Sequence, residues 1–99
     1  MTFRHVVMFR WAEGTAPGHV QAVQDALGGL PAAIPQIRAY AFGPDAGVNE
    51  GNYDFAVVAD FDGAEDYVVY RDHPEHQAVI AELFRDHVIA RAALQFEIP

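Results

Sequence analysis

The 99-residue chain contains no cysteine, no serine and no lysine. Without cysteine there is no disulfide, no zinc–thiolate centre and no thiolate nucleophile. Without serine and lysine there is no serine nucleophile, no Schiff-base amine and no phosphate-loop lysine. Thr2 and Thr15 are the only aliphatic hydroxyls, and neither has a base near it in sequence. Basic charge is scarce too: six arginines, scattered singly, stand against fourteen acids, and the net charge is −8. Nucleic acid and anionic membrane both require clustered basic side chains, so neither is an expected partner. No apolar run reaches the length that spans a bilayer, and the N-terminus lacks the basic-then-apolar order of a signal peptide. A soluble cytoplasmic protein is the expectation. Chemistry is left to His, Tyr, Asp, Glu and Arg, which move protons without covalent catalysis unless a metal or haem is borrowed.

About half of the residues are apolar. A chain of this size buries roughly 60–65% of its unfolded surface, enough for one small core, so residues 1–99 are expected to form a single domain. From Thr2 to Trp11 the pattern has period two. Phe3, His5, Val7, Phe9 and Trp11 face one way and Arg4, Val6, Met8 and Arg10 the other, which predicts a strand. Pro17 opens a helix whose Val20, Val23, Leu27 and Leu30 share a face, with Gly28-Gly29 as its stop. A second strand is expected from Gln36 to Phe42, then a loop rich in turn residues from Gly43 to Asn52, a candidate rim or lid. Tyr53 to Phe61 alternates again. Asp62 and Glu65 form a capping-box-like start for a helix over Gly63–Arg71, a second helix runs from Pro74 to about His87, and Val88–Ile98 closes as a strand. The order β-α-β-β-α-β predicts a ferredoxin-like α+β fold with the helices on one sheet face. The other face, centred on Val6, Met8, Ala56 and Val58 and edged by Arg4, Arg10, Asp54 and Asp60, has nothing left to cover it. It is therefore expected to join two copies into a homodimer.

The densest chemistry lies in Tyr70-Arg71-Asp72-His73-Pro74-Glu75-His76. Pro74 lacks a backbone donor and biases His73 away from helical angles, so one helix stops and another restarts there. In the new helix His76 shares a face with Val79, Ile80, Leu83 and Phe84 and should point inward. An inward histidine beside a tyrosine suits acid–base work, or is a hydrogen-bonded core residue that shapes the turn.

Arg4-His5-Val6-Val7, Gly51-Asn52-Tyr53-Asp54-Phe55 and Tyr70 through Ala78 resemble the stress-responsive dimeric α+β barrel (Dabb) family over nearly the whole chain. The site resembles that of plant cyclases of the olivetolic acid type in that family, which fold a linear tetraketide into an aromatic acid without metal or cofactor. That resemblance implies a site of His76, Tyr70, His5 and Glu97, in which His76, Tyr70 and His5 are expected to be catalytic and Glu97, from the last strand, to bind substrate. Val7, Phe9, Val57, Val79, Ile80 and His73 are expected around the substrate. In the first helix Val23 and Leu27 replace bulkier pocket residues, so a different substrate shape is expected.

His73 and His76 at i and i+3 could share a metal only with His5 and a carboxylate; the alternative reading of His73 is the N-cap before Pro74. Haem would need His5, His76 or His87 as axial ligand, and no haem motif of the fold's distant relatives is present. No metal or cofactor is expected. His19 reads as solvated surface, and His87 as a helix-end cation. The reading is a homodimer with one cavity per subunit, its mouth near the Gly43–Asn52 loop and the Tyr70–His76 bend. It acts on a small polyketide-like or β-dicarbonyl substrate by cyclase, aldol or isomerase chemistry. The alternative is a non-enzymatic small-molecule-binding dimer.

Overall fold

Alternating apolar residues fold into an antiparallel sheet with one buried face. The computed structural model describes residues 1–99. Strands β1 (Thr2–Trp11), β2 (Ala39–Pro44), β3 (Phe55–Phe61) and β4 (Val88–Ile98) stand in the order β2-β3-β1-β4. Between them run helices α1 (Pro17–Gly28), α2 (Leu30–Ala33), α3 (Ala64–Asp72) and α4 (Pro74–Val79), with a π-helical turn at Ile80–Phe84. This is the expected ferredoxin-like α+β arrangement. His5, Val7 and Phe9 of β1 and Phe55, Val57, Ala59 and Phe61 of β3 are buried on the helix side. Val23 and Leu27 of α1, Leu30, Ile34, Tyr70 and Phe84 close the core over them. Phe61 is 1% exposed, and truncating such a ring to alanine costs about 3–5 kcal/mol.

Local chemistry moved several boundaries. Leu30, expected on the face of the first helix, instead opens the short helix α2 with Pro31 in its first turn, and both Leu30 and the C-cap Ile34 are buried. The turn that follows, closed by Ile37 N–H donating to the Ile34 carbonyl, delays β2 to Ala39. Strand β3 starts at Phe55 because the residues before it are held elsewhere. Arg10 binds the Gly51 and Asn52 carbonyls and lies over the Tyr53 ring, while the Asp54 carboxylate accepts from Trp11 N–H. The capping box does not form. Gly63 is the N-cap of α3, and Asp62 pairs with Arg38 instead. The helix after Pro74 is α-helical only to Val79, and Arg85 N–H then donates to the Ile80 carbonyl, an i→i+5 bond.

The opposite sheet face is uncovered. Met8 is 39% exposed, Leu94 58% and Phe96 45%, and Val6 and Val58 are half-buried between them. Arg4 and Asp60, a bidentate pair at 2.8 and 2.9 Å, mark one edge. No helix is long and apolar enough to cross a membrane.

Candidate functional site

The break at His73-Pro74 sets the geometry of the bend. In an unbroken helix the Glu75 N–H would serve the Arg71 carbonyl. Here it donates instead to Nδ1 of His73, the N-cap of α4, at 3.1 Å. The freed Arg71 carbonyl accepts from Nδ1–H of His76 at 3.0 Å and from the Gln77 amide at 2.6 Å. His73 therefore caps α4 and is not a wall of the cavity. Its indirect effect is to release the carbonyl that fixes the His76 ring.

His76, Tyr70 and His5 all line one cavity of about 370 Å³ between the sheet and the helices, near the lower end of small-molecule sites. Its apolar walls include Val7, Phe9, Leu27, Val57, Ile80 and Phe84. The Tyr70 and His76 rings lie 4.2 Å apart, and Tyr67 packs against His5 at 4.8 Å. Burial lowers the His76 pKa below its ordinary 6.5, partly offset by the Arg71 carbonyl. The ring is therefore neutral at pH 7, with Nδ1 protonated and Nε2 carrying a free lone pair. His5 is the complement. Gln95, opposite it on β4, donates to Nδ1 at 2.8 Å, so the proton of the neutral ring sits on Nε2. Burial foremost, then Arg91 and His76, pushes the His5 pKa down to about 4. One imidazole is thus a base and the other a hydrogen-bond donor.

Tyr70 is buried and its hydroxyl lies 2.8 Å from that of Tyr40 on β2. Burial first, then the neighbouring tyrosines, raises its pKa. Burial pushes Tyr40 up to about 12. Both phenols stay protonated, and whichever accepts the shared bond keeps its own proton for another acceptor.

Several expected members lie elsewhere. Val23 is fully buried in the core below the cavity, and Val79 packs against that core without reaching the cavity. Glu97 stands opposite Phe3 and is exposed; the β1–β4 register gives the place beside His5 to Gln95, two residues earlier. The mouth is not at the Gly43–Asn52 loop, none of whose residues line the cavity. That loop is tied by Arg10 to the outer side of the sheet, whereas the exposed residues of the cavity lining, which mark its mouth, are Arg71, Arg85 and Arg91. His19 is not solvated surface: its Nε2 meets the Leu83 carbonyl at 2.9 Å, and its ring lies 3.9 Å from that of His87.

Tyr40, Tyr67, Arg71, Arg85, Arg91 and Gln95 were missed. Tyr40 and Tyr67 fall on the buried side of their elements, a periodicity that identifies core but not its hydroxyl partners. Gln95 and Arg91 needed the β4 register, which no local pattern fixes. No three imidazole or carboxylate side chains converge closely enough to hold a metal ion.

Residues 3–98 match the model of the family described as Stress responsive A/B Barrel Domain. A dimeric ferredoxin-like protein of unknown function from Thermobifida fusca is 47% identical, with a TM-score of 0.91 over 99% of this chain and 92% of its own. One from Bacteroides fragilis, also dimeric, is 26% identical, with a TM-score of 0.83 over 98% of this chain and 96% of its own. The hydroxynitrile lyase of Passiflora edulis shares the fold at 18% identity, with a TM-score of 0.85 over 99% of this chain and 95% of its own. Among curated proteins none matches.

Proposed function

The chain belongs to the stress-responsive A/B barrel (Dabb) family, and we propose that its cavity performs cofactor-independent acid–base catalysis on a small polyketide-like or β-dicarbonyl substrate. The supporting observation is the pair of Nδ1 contacts in one cavity, His76 with the Arg71 carbonyl and His5 with the Gln95 amide nitrogen, which together favour a free Nε2 lone pair on His76 and a protonated Nε2 on His5. His76 takes a proton from a carbon between two carbonyls, and the electron pair moves onto a carbonyl oxygen. His5 Nε2–H donates to that enolate oxygen, as does the Tyr70 hydroxyl when Tyr40 donates to it. In a cyclisation the enolate carbon attacks a second carbonyl of the same chain. The new alkoxide takes its proton from the His76 imidazolium, which restores the base. The same fold carries a lyase in the Passiflora edulis enzyme.

Two copies joined through the outer sheet face complete the proposed form, consistent with the dimeric relatives from Thermobifida fusca and Bacteroides fragilis. One observation favours the non-catalytic alternative. The Tyr70 hydroxyl is buried and already bonded, as in a rigid binding pocket.

The test is turnover of triketide to hexaketide thioesters to cyclised product, with solvent deuterium exchange at the activated carbon of the same compounds. Removing a positioned base costs roughly 10²–10⁴ in rate, so His76→Ala should fall in that range while staying folded. Retention of turnover within about threefold makes His76 structural. Stoichiometric binding with neither exchange nor turnover makes the cavity a receptor.

A further inference from the structure

The cavity is basic in an acidic protein. The chain has fourteen acids and six arginines, yet no Asp or Glu lines the cavity and three arginines do. Four arginines are engaged within the molecule. Arg4 pairs with Asp60, Arg38 with Asp62 and Arg71 with Asp72, while Arg10 holds two carbonyls and the Tyr53 ring. Arg85 and Arg91 make no side-chain hydrogen bond or ion pair, and both line the cavity. Where acids outnumber arginines more than two to one, arginines left unpaired at a cavity mouth are a feature to explain.

The backbone places both there. Arg91 stands opposite Phe9 in the β1–β4 register, on the helix side of the sheet. Arg85 follows the π-helical turn, in which its N–H bonds to the Ile80 carbonyl, so it sits over Ile80, another lining residue. In a continuous α-helix a residue five positions on is turned about 140° away. The π turn thus brings Arg85 toward the cavity.

We infer that the cavity takes a small carboxylate, its apolar body against Phe9, Leu27, Val57 and Phe84 and its carboxylate held at the mouth by Arg85 and Arg91. This rests on the cavity being the substrate site and names the substrate class. The planar guanidinium fork matches a carboxylate through two parallel hydrogen bonds. A phosphate dianion is usually cradled by backbone N–H groups of a glycine-rich loop, and no glycine lines this cavity. Anchoring the charged end at the mouth leaves the chain carbons beside His76 and His5, farther in.

The experiment measures binding of 3-phenylpropanoate, 3-phenylpropanamide and 2-phenylethyl phosphate to the full chain by calorimetry at low salt, with histidine and arginine side-chain NMR. The carboxylate should bind at least about tenfold more tightly than the amide, weaken with salt, and shift the Arg85, Arg91 and His5 signals. Arg85→Gln and Arg91→Gln should each remove most of that preference without changing amide binding, whereas Arg38→Gln should retain it. Equal affinity for acid and amide, or no binding of either at millimolar concentration, overturns the inference, and preference for the phosphate overturns the carboxylate assignment. Loss of the charge preference with His76-dependent exchange intact removes only the anion clamp. Charge preference without exchange on any polyketide, as thioester or as free β-keto acid, removes only the acid–base reading.

Discussion

Gln95 donates to Nδ1 of His5 at 2.8 Å from directly across the β1–β4 pair. An amide nitrogen cannot accept, so this single bond decides which ring nitrogen of the neutral His5 carries the proton. Gln95→Leu should leave Nδ1 unpaired and mix the tautomers. Gln95→Glu should supply an acceptor and a negative charge, move the proton to Nδ1 and raise the His5 pKa well above 4. Nitrogen-15 chemical shifts of the imidazole across a pH titration read both changes.

The same histidine makes stability pH-dependent. Its folded pKa, about 4, lies below the ordinary 6.5. In that window the unfolded chain binds more protons than the folded one. The His5 contribution is therefore fully present above pH 6.5 and is lost as pH falls toward 4. The shift corresponds to on the order of 3 kcal/mol, and His76, shifted the same way, adds to it. Asp60, held below its ordinary 3.8 by Arg4, acts only at lower pH. Urea unfolding at pH 7.5, 5.5 and 4.0 should show a decline that His5→Gln flattens.

Tyr40 and Tyr70 form a buried hydroxyl pair. Removing one hydroxyl leaves the other without this partner, so Tyr40→Phe and Tyr70→Phe should each cost about 1–3 kcal/mol. The double Phe variant should cost less than the sum, because neither hydroxyl is then stranded. Denaturation of the four proteins closes the cycle, and additivity within 0.3 kcal/mol would show that the pair is not coupled.

His73 holds the first turn of α4 through the Glu75 N–H. His73→Asp keeps an acceptor at the N-cap and should be near neutral, whereas His73→Ala should cost about 1 kcal/mol. The alanine variant frees Glu75 N–H to compete for the Arg71 carbonyl, so the His76 Nδ1–H signal should also weaken. An unchanged His76 spectrum in His73→Ala would separate the cap from the site.

The outer sheet face should bury Met8, Leu94 and Phe96 in the dimer. Each 100 Å² of apolar surface removed there is worth roughly 2.5 kcal/mol before association costs. Met8→Asp should give monomer by light scattering. A wild-type monomer at micromolar concentration with unchanged helicity would contradict the dimer.

The period-two runs Phe3–Trp11 and Phe55–Phe61 and the proline-marked bend determined the sheet, its buried face and the placement of His5, Tyr70 and His76 near one another. These signals are local: side-chain alternation and a missing N–H act within a few residues of their cause. The remainder depended on register and on competition for backbone groups. Gln95 rather than Glu97 meets His5 because of the β1–β4 pairing, and Arg85 reaches the cavity because one turn closes i→i+5. Tyr40 reaches Tyr70 across thirty residues of chain. Asp62 left its helix cap for Arg38, an ion pair between segments far apart in sequence. No local propensity encodes such choices, because each compares a near partner with a distant one that exists only once the sheet has closed.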